Sequence, residues 1–246
     1  MVGFTPKITH QIPCLKVGDV HVWKLALGGS IKQGEQATLS DSEILKISRL
    51  RNKQHRAYAL SMRVQLRRLI SGYLGINPNM IRFEKAEFGK PYIINSALSF
   101  NVSHSDSQAL VAMTLGKEVG IDIENWRYLD NLEGLVSRNF SNNEQKQWLD
   151  VAEQQRESTF FKIWTCKEAF IKATGRGLGM GVSRCGFSLS RPNNLLECPV
   201  EYGKASDWSC VTLDMGEKVS ASLMLRSKIC RPVIYTFDPE NPPQII

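Results

Sequence analysis

Residues 109–124 read ALVAMTLGKEVGIDIE, and the architecture of the chain turns on them. ALVAMTL (109–115) and VGIDIE (119–124) are two apolar runs of strand length. The Gly116-Lys117 pair between them predicts a tight hairpin. Upstream, SFNVS (99–103) reads as a further strand. Residues 80–85 and 92–94 read as short strands around the turn Phe88-Gly89-Lys90-Pro91. Further upstream, DVHVWKLAL (19–27) alternates as a strand should. Ser40 followed by Glu43 is a capping box that opens a helix over 41–50. A long helix follows near 53–74, closed by Gly75.

The same order recurs downstream. Ser141 and Glu144 form a second capping box, for a helix over 141–152. A longer helix near 155–173 ends at Gly175, and strands follow near 184–189, 209–214, 219–226 and 232–236. The expectation is an α+β fold of two similar halves, residues 1–117 and 118–246, joined near 116–120. The halves should meet at an interface. GRGLGMG (175–181) follows a helix and lacks a Gly-Lys-Ser/Thr end, so it reads as a helix stop and connector, not a phosphate loop. The Pro-rich tail DPENPPQII (238–246) is expected to fray.

Composition narrows the function. A chain of 246 residues with 42% apolar residues can bury a substantial core. No apolar run approaches membrane-spanning length, and the N-terminus has no continuous apolar stretch of signal type, so the expected compartment is the cytoplasm. The six cysteines form no CxxC pair and the four histidines no zinc spacing. A net charge of +7 favours anionic partners. Its densest run lies between Lys46 and Arg68. No basic motif with interleaved aromatics and no helix-turn-helix signal accompanies it, which argues against nucleic acid.

Two elements carry chemistry. Asp122 and Glu124 are two apart on a strand and point to one face. Glu168 and Lys172, in FFKIWTCKEAFIK (160–172), are four apart on a helix and share a face. Taken alone, each pair reads as a wet strand face or a surface ion pair. The helix is mostly apolar, however, which sets its charges close to a core where they need partners. Three carboxylates and a lysine on rigid elements can hold a hard divalent cation beside a phosphate. SFNVSHSD (99–106) adds donors at a strand end, and Gly89-Lys90-Pro91 can offer a lysine and bare backbone.

FGKP at 88, FNVSHS at 100, GIDIE at 120 and W-x-x-KE-x-x-x-K from 164 to 172, in that order and spacing, resemble the 4′-phosphopantetheinyl transferase family in its larger Sfp-type branch. The resemblance runs from about residue 40 to 190. It implies halves related by pseudo-two-fold symmetry with the site at their interface. It also implies transfer of 4′-phosphopantetheine from coenzyme A to a serine of an apo acyl or peptidyl carrier protein. Mg²⁺ would assist, and adenosine 3′,5′-bisphosphate would leave. The resemblance places the metal on Asp122, Glu124 and Glu168, with Glu168 as the base, directly or through water, and Lys172 on the leaving phosphate. Lys167 and Lys172 would face the coenzyme A phosphates, and Trp164 would pack beneath the site. Gly89, Lys90 and Pro91 would lie near the adenine. Asn101, Val102, Ser103 and His104 would contact the nucleotide end, with His104 near the 3′-phosphate, and Arg49 supplies an early basic position. Some relatives carry an arginine two residues beyond Arg56; here that residue is Tyr58, so Arg56 or Arg63 would take over the contact. The stretch 125–140 is the expected docking region for an acidic carrier surface, and a monomer suffices if both halves build the site. The rival classes are a catalytically dead binding module, disfavoured by the full set of carboxylates, and a nucleic-acid binder.

Overall fold

The computed structural model describes residues 6–9, 11–29, 31 and 34–238. The tail beyond Asp238, expected to fray, and the first five residues lie outside the described residues. In chain order come β1 (Lys7–Ile8), β2 (Val20–Ala26), α1 (Asp41–Ser48), α2 (Lys53–Leu74), β3 (Phe83–Lys85), β4 (Pro91–Ile93), β5 (Leu98–Ser105) and β6 (Gln108–Leu115). There follow β7 (Val119–Asn125), α3 (Leu132–Asn139), α4 (Asn142–Trp148), α5 (Glu153–Thr174), β8 (Gly186–Phe187), β9 (Leu195–Glu197), β10 (Ser209–Leu213), β11 (Val219–Leu225) and β12 (Pro232–Phe237). This is an α+β fold.

Local signals act where the sequence places them. Both capping boxes form: Ser40 and Ser141 cap α1 and α4, and Glu43 and Glu144 reach back to their backbones. Gly75 and Gly175 end the two long helices in the left-handed region, at φ 63° and 72°.

The predicted hairpin between β6 and β7 does not form. β6 lies in a sheet of order β1-β12-β2-β6-β5, while β7 is an edge of a second sheet, β10-β11-β7. Gly116, at φ 62°, instead turns the chain from one sheet to the other, and its N–H bonds to Ala97 O. Leu110, Ala112, Val119, Ile121, Ile123, Ala221 and Leu223 then form a shared apolar layer between the sheets. β7 finds its antiparallel partner in β11, with Asp122 opposite Ser222. The last strand crosses back: β12 runs parallel to β2 in the first sheet, so residues 232–237 of the second sequence half complete the first half's sheet.

One bonding pattern occurs in both sequence halves. In the first, Arg67 is buried against Glu43 at 2.7 Å and donates to Pro78 O and Ile81 O. In the second, Lys167 is buried against Glu144 at 2.7 Å and donates to Val182 O and Cys185 O. In each half the capping-box glutamate of the short helix pins the long helix and the loop that follows it.

Candidate active site

β7 and α5 build the centre of the site because they touch at a glycine. A Cβ on Gly120 would stand 2.0 Å from Ala169 O and 2.4 Å from Ala173 N. No side chain fits there, so α5 lies directly on the strand. That contact brings the helix residues Glu168 and Lys172 alongside Asp122.

The free edge of β7 is closed by side chains. Asn101 Oδ1 accepts from Ile121 N at 2.9 Å, Ser103 Oγ from Ile123 N at 3.4 Å, and Ser105 Oγ from Asn125 N at 3.0 Å. Alternate residues of β5 point one way, so three polar side chains spaced by two satisfy three backbone donors that would otherwise be buried unpaired. Ser103 does more. Its hydroxyl donates to Asp122 Oδ1 at 2.8 Å and accepts from Lys172 Nζ at 2.8 Å.

Lys172 Nζ also stands 2.6 Å from Asp122 Oδ1. Asp122 is 3% exposed, and its Oδ2 has no hydrogen-bond partner; Oε1 of Glu168 is likewise buried without one. The Glu168 carboxyl is pushed up to about 7, first by burial and then by the charge of Asp122, with a smaller contribution from Glu124. Glu124 is half-buried and pairs with Arg127 at 3.0 Å. Among the described residues no three such groups are drawn into a ready-made metal cage. The donor set still suits a hard cation: oxygen ligands, an acidic excess, and two buried oxygens lacking a partner.

Beside this centre runs a groove made of two contiguous cavities. The first, about 420 Å³, is walled by Leu27, Gln54, His55, Tyr58, His104 and Asp106. The second, about 790 Å³, shares Leu50, Ala59 and Met62 with it and adds Lys46, Arg63, Arg82 and Lys85. Tyr58 is fixed by Gln54, which donates to its hydroxyl at 2.6 Å, and by Gly28, where a Cβ would stand 2.7 Å from Tyr58 Cε1, so only glycine lets the ring approach. His104 faces the cavity. Its imidazole lies below the ordinary histidine range because packing strips water from it and because the Lys172 ammonium is near.

Several expected contacts resolve differently. Lys167 is not a phosphate contact: it is 0% exposed and held by Glu144 and two carbonyls, so its charge is already matched inside the core. Lys90 Nζ donates to Val119 O at 2.8 Å and Ala173 O at 3.0 Å, strapping the Gly89 turn to β7 and α5. Of that turn, Pro91 lines the groove. Asn101 is spent on the β7 edge, and Val102 packs against the apolar cluster that holds Trp23, Leu66 and Phe100. Arg56 folds back onto Leu50 O at 2.6 Å, and Arg49 is exposed at the end of α1. Arg63 is in the groove, 3.4 Å from Glu43. Trp164 is half-buried and stacks on Phe160. Sequence reading passed over His55, Gln54, Arg82 and Lys85 as groove residues. The basic run from Lys46 to Arg68 was the signal for the groove's charge.

Two sequence profiles match the chain in succession. Residues 33–115 match the N-terminal part of 4′-phosphopantetheinyl transferases, and residues 118–221 match the 4′-phosphopantetheinyl transferase superfamily. A 4′-phosphopantetheinyl transferase of Nostoc sp., HetI, is 36% identical over 166 residues, 65% of this chain and 70% of that one. The chain belongs to the 4′-phosphopantetheinyl transferase superfamily. A putative transferase of Synechocystis sp. is 30% identical, covering 66% of this chain and 68% of that one. The transferase ffp of Bacillus subtilis is 32% identical over 55% and 59%. The two consecutive matches place the chain in the larger Sfp-type branch. It is a transferase that moves phosphopantetheine to carrier proteins, and coenzyme A is its substrate. Among the described residues no helix is long and apolar enough to cross a membrane.

Proposed function

We propose that this transferase would hold Mg²⁺ at Asp122, Glu124 and Glu168 and direct the carrier serine hydroxyl at the β-phosphorus of coenzyme A, so that the new serine–phosphorus bond forms as the diphosphate bond breaks and adenosine 3′,5′-bisphosphate leaves. The observation that carries this reading is the pair of buried, partnerless oxygens, Asp122 Oδ2 and Glu168 Oε1, beside the Lys172 ammonium, whose charge reaches His104 in the wall of the first cavity. A bound Mg²⁺ would neutralise charge on the diphosphate oxygens.

The remaining work falls to the chain's own side chains. Lys46, Arg63, Arg67, Arg82 and Lys85 outnumber Asp41, Glu43 and Glu84 along the second cavity and offer positive charge for the nucleotide phosphates, and His104, His55 and Tyr58 wall the first. Lys172 adds positive charge where the leaving phosphate departs. Glu168, directly or through a water, is placed to take the proton of the incoming serine. Gly120 holds α5 against β7 and so fixes the distance between these groups.

The duplicated ion pairs, Arg67–Glu43 and Lys167–Glu144, support a pseudo-two-fold relation between halves 1–117 and 118–246. A single cytoplasmic chain then holds a whole site. The carrier docks on 125–140, where Tyr128 is 84% exposed beside Arg127. Incubation with coenzyme A, Mg²⁺ and an apo carrier should add the phosphopantetheine mass to the carrier. Chelation with EDTA should abolish the gain, and Glu168→Ala should do so while the fold stays intact. Full transfer in EDTA, or by folded Glu168→Ala, sinks this assignment of the site.

A further inference from the structure

The Asp122 carboxylate already has a cation of its own. Lys172 Nζ sits 2.6 Å from Asp122 Oδ1, and Ser103 bridges both at 2.8 Å. The other oxygen of the same carboxylate is buried with no partner, as is Oε1 of Glu168, one helical turn before Lys172. One ammonium therefore serves a cluster whose negative charge exceeds it.

We infer that Lys172 is an internal competitor for the divalent cation: it neutralises Asp122 in the ligand-free enzyme and must let go of it when the cation binds. This rests on the metal reading given above. The physical reason is Coulombic. Two cations cannot share one buried carboxylate at ion-pair distance without strong repulsion, and partial burial weakens the screening that would relieve it. Lys172 is also free to leave. Its side chain is 28% exposed, and its charge is felt by His104, which lines the first cavity. A long flexible lysine suits this exchange better than a planar arginine fork would. The consequence is a deliberately weak cation site in the empty enzyme. Anions in the groove that hold Lys172 strengthen it, and by linkage the cation strengthens their binding in turn.

The test is direct cation binding without coenzyme A or carrier. Mn²⁺ is titrated into ligand-free wild type, Lys172→Met and Lys172→Arg, with bound ion read by calorimetry and by loss of the free Mn²⁺ electron paramagnetic resonance signal. Lys172→Met should bind Mn²⁺ about tenfold tighter than wild type, and charge-preserving Lys172→Arg should stay within about threefold of it. Mn²⁺ should also raise the melting temperature of Lys172→Met more than that of wild type. If Lys172→Met does not fold, Lys172→Gln, which can still donate to Asp122, takes its place. Unchanged or weaker Mn²⁺ binding on loss of the charge overturns the competitor role while leaving the metal reading intact. Equal tightening by Lys172→Arg overturns it too, because charge is then not the cause. No Mn²⁺ binding by any of the proteins at millimolar ion overturns both.

Discussion

Gly120→Ala is the smallest change that should dismantle the site without touching any group that acts in it. The new methyl carbon would lie 2.0 Å from Ala169 O, 2.4 Å from Ala173 N and 2.9 Å from Ala173 Cα. All three are backbone atoms of α5, so no side chain can swing away. Ordinary carbon–oxygen contact is at about 3.2 Å or more, so α5 must back off by roughly 1 Å. Overpacking of this kind costs about 1–3 kcal/mol. For a chain of this size that lowers the melting temperature by roughly 2–12 °C.

The effect on function should be larger than the effect on stability. Glu168 and Lys172 move with α5, while Asp122 and Ser103 stay with the sheets. A displacement of about 1 Å between reacting groups can cost about a hundredfold in rate. The assay is transfer of phosphopantetheine to an apo carrier, followed by intact-protein mass, beside a thermal melt. The expected result is a folded variant with kcat/KM down about a hundredfold. A Gly120→Ala protein with wild-type melting temperature and rate within about twofold would refute the claim that this contact sets the site.

Three further outcomes follow from the same geometry. Lys167→Met should leave Glu144 buried and unpaired, at a cost of about 3–5 kcal/mol, seen as a melting temperature lower by about 6 °C or more; an unchanged melt with a raised KM for coenzyme A would restore a phosphate-binding role. Burial lowers the Lys90 pKa to about 8, only partly offset by Glu118. The unfolded chain then holds more protons than the folded one between about pH 8 and 10.4, so Lys90 makes stability rise with pH across that window. Lys90→Met should remove this rise from chemical-denaturation curves at pH 7.5 and 9.5, and an identical slope in the variant would contradict the shift. With a net charge of +7, apparent affinity for an acidic carrier should fall as salt is added; a salt-independent KM would point to an apolar interface.

What the sequence could show depended on the range of the interaction. α2 runs from Lys53 to Leu74 and ends at Gly75, as read, because cap and stop signals are local. The β6–β7 hairpin failed because Gly116-Lys117 turns a chain equally well within a sheet or between sheets. What decides is β11, far downstream, which takes the edge of β7. No helix is expected from sequence within 125–140, yet α3 forms there, where Asn131 caps it through Gly134 N and Leu132, Leu135 and Val136 reach the cluster around Phe140 and Phe160. Asn101, Ser103 and Ser105 read in sequence as donors at a strand end, open to a ligand. Their alternation instead fits the backbone donors of β7, which only the packing of two sheets can reveal.

Lys167 and Glu168 show the same limit and also why the site is one-sided. Arg67 and Lys167 do the same job in the two halves, each pinned by the glutamate of a capping box. The next residue along each helix differs. In the first half it is Arg68, which pairs with Glu35. In the second it is Glu168, which faces Asp122 across the Gly120 contact and has a buried oxygen without a partner. The strut is thus common to both halves, while the acidic cluster belongs to the second. The first half contributes the groove, through α2 and His104, and the serine that ties Asp122 to Lys172. Each half alone would hold either charge for the phosphates or carboxylates for a cation. The proposed catalytic arrangement needs the seam at β5 and β7, where Ser103 bridges the two.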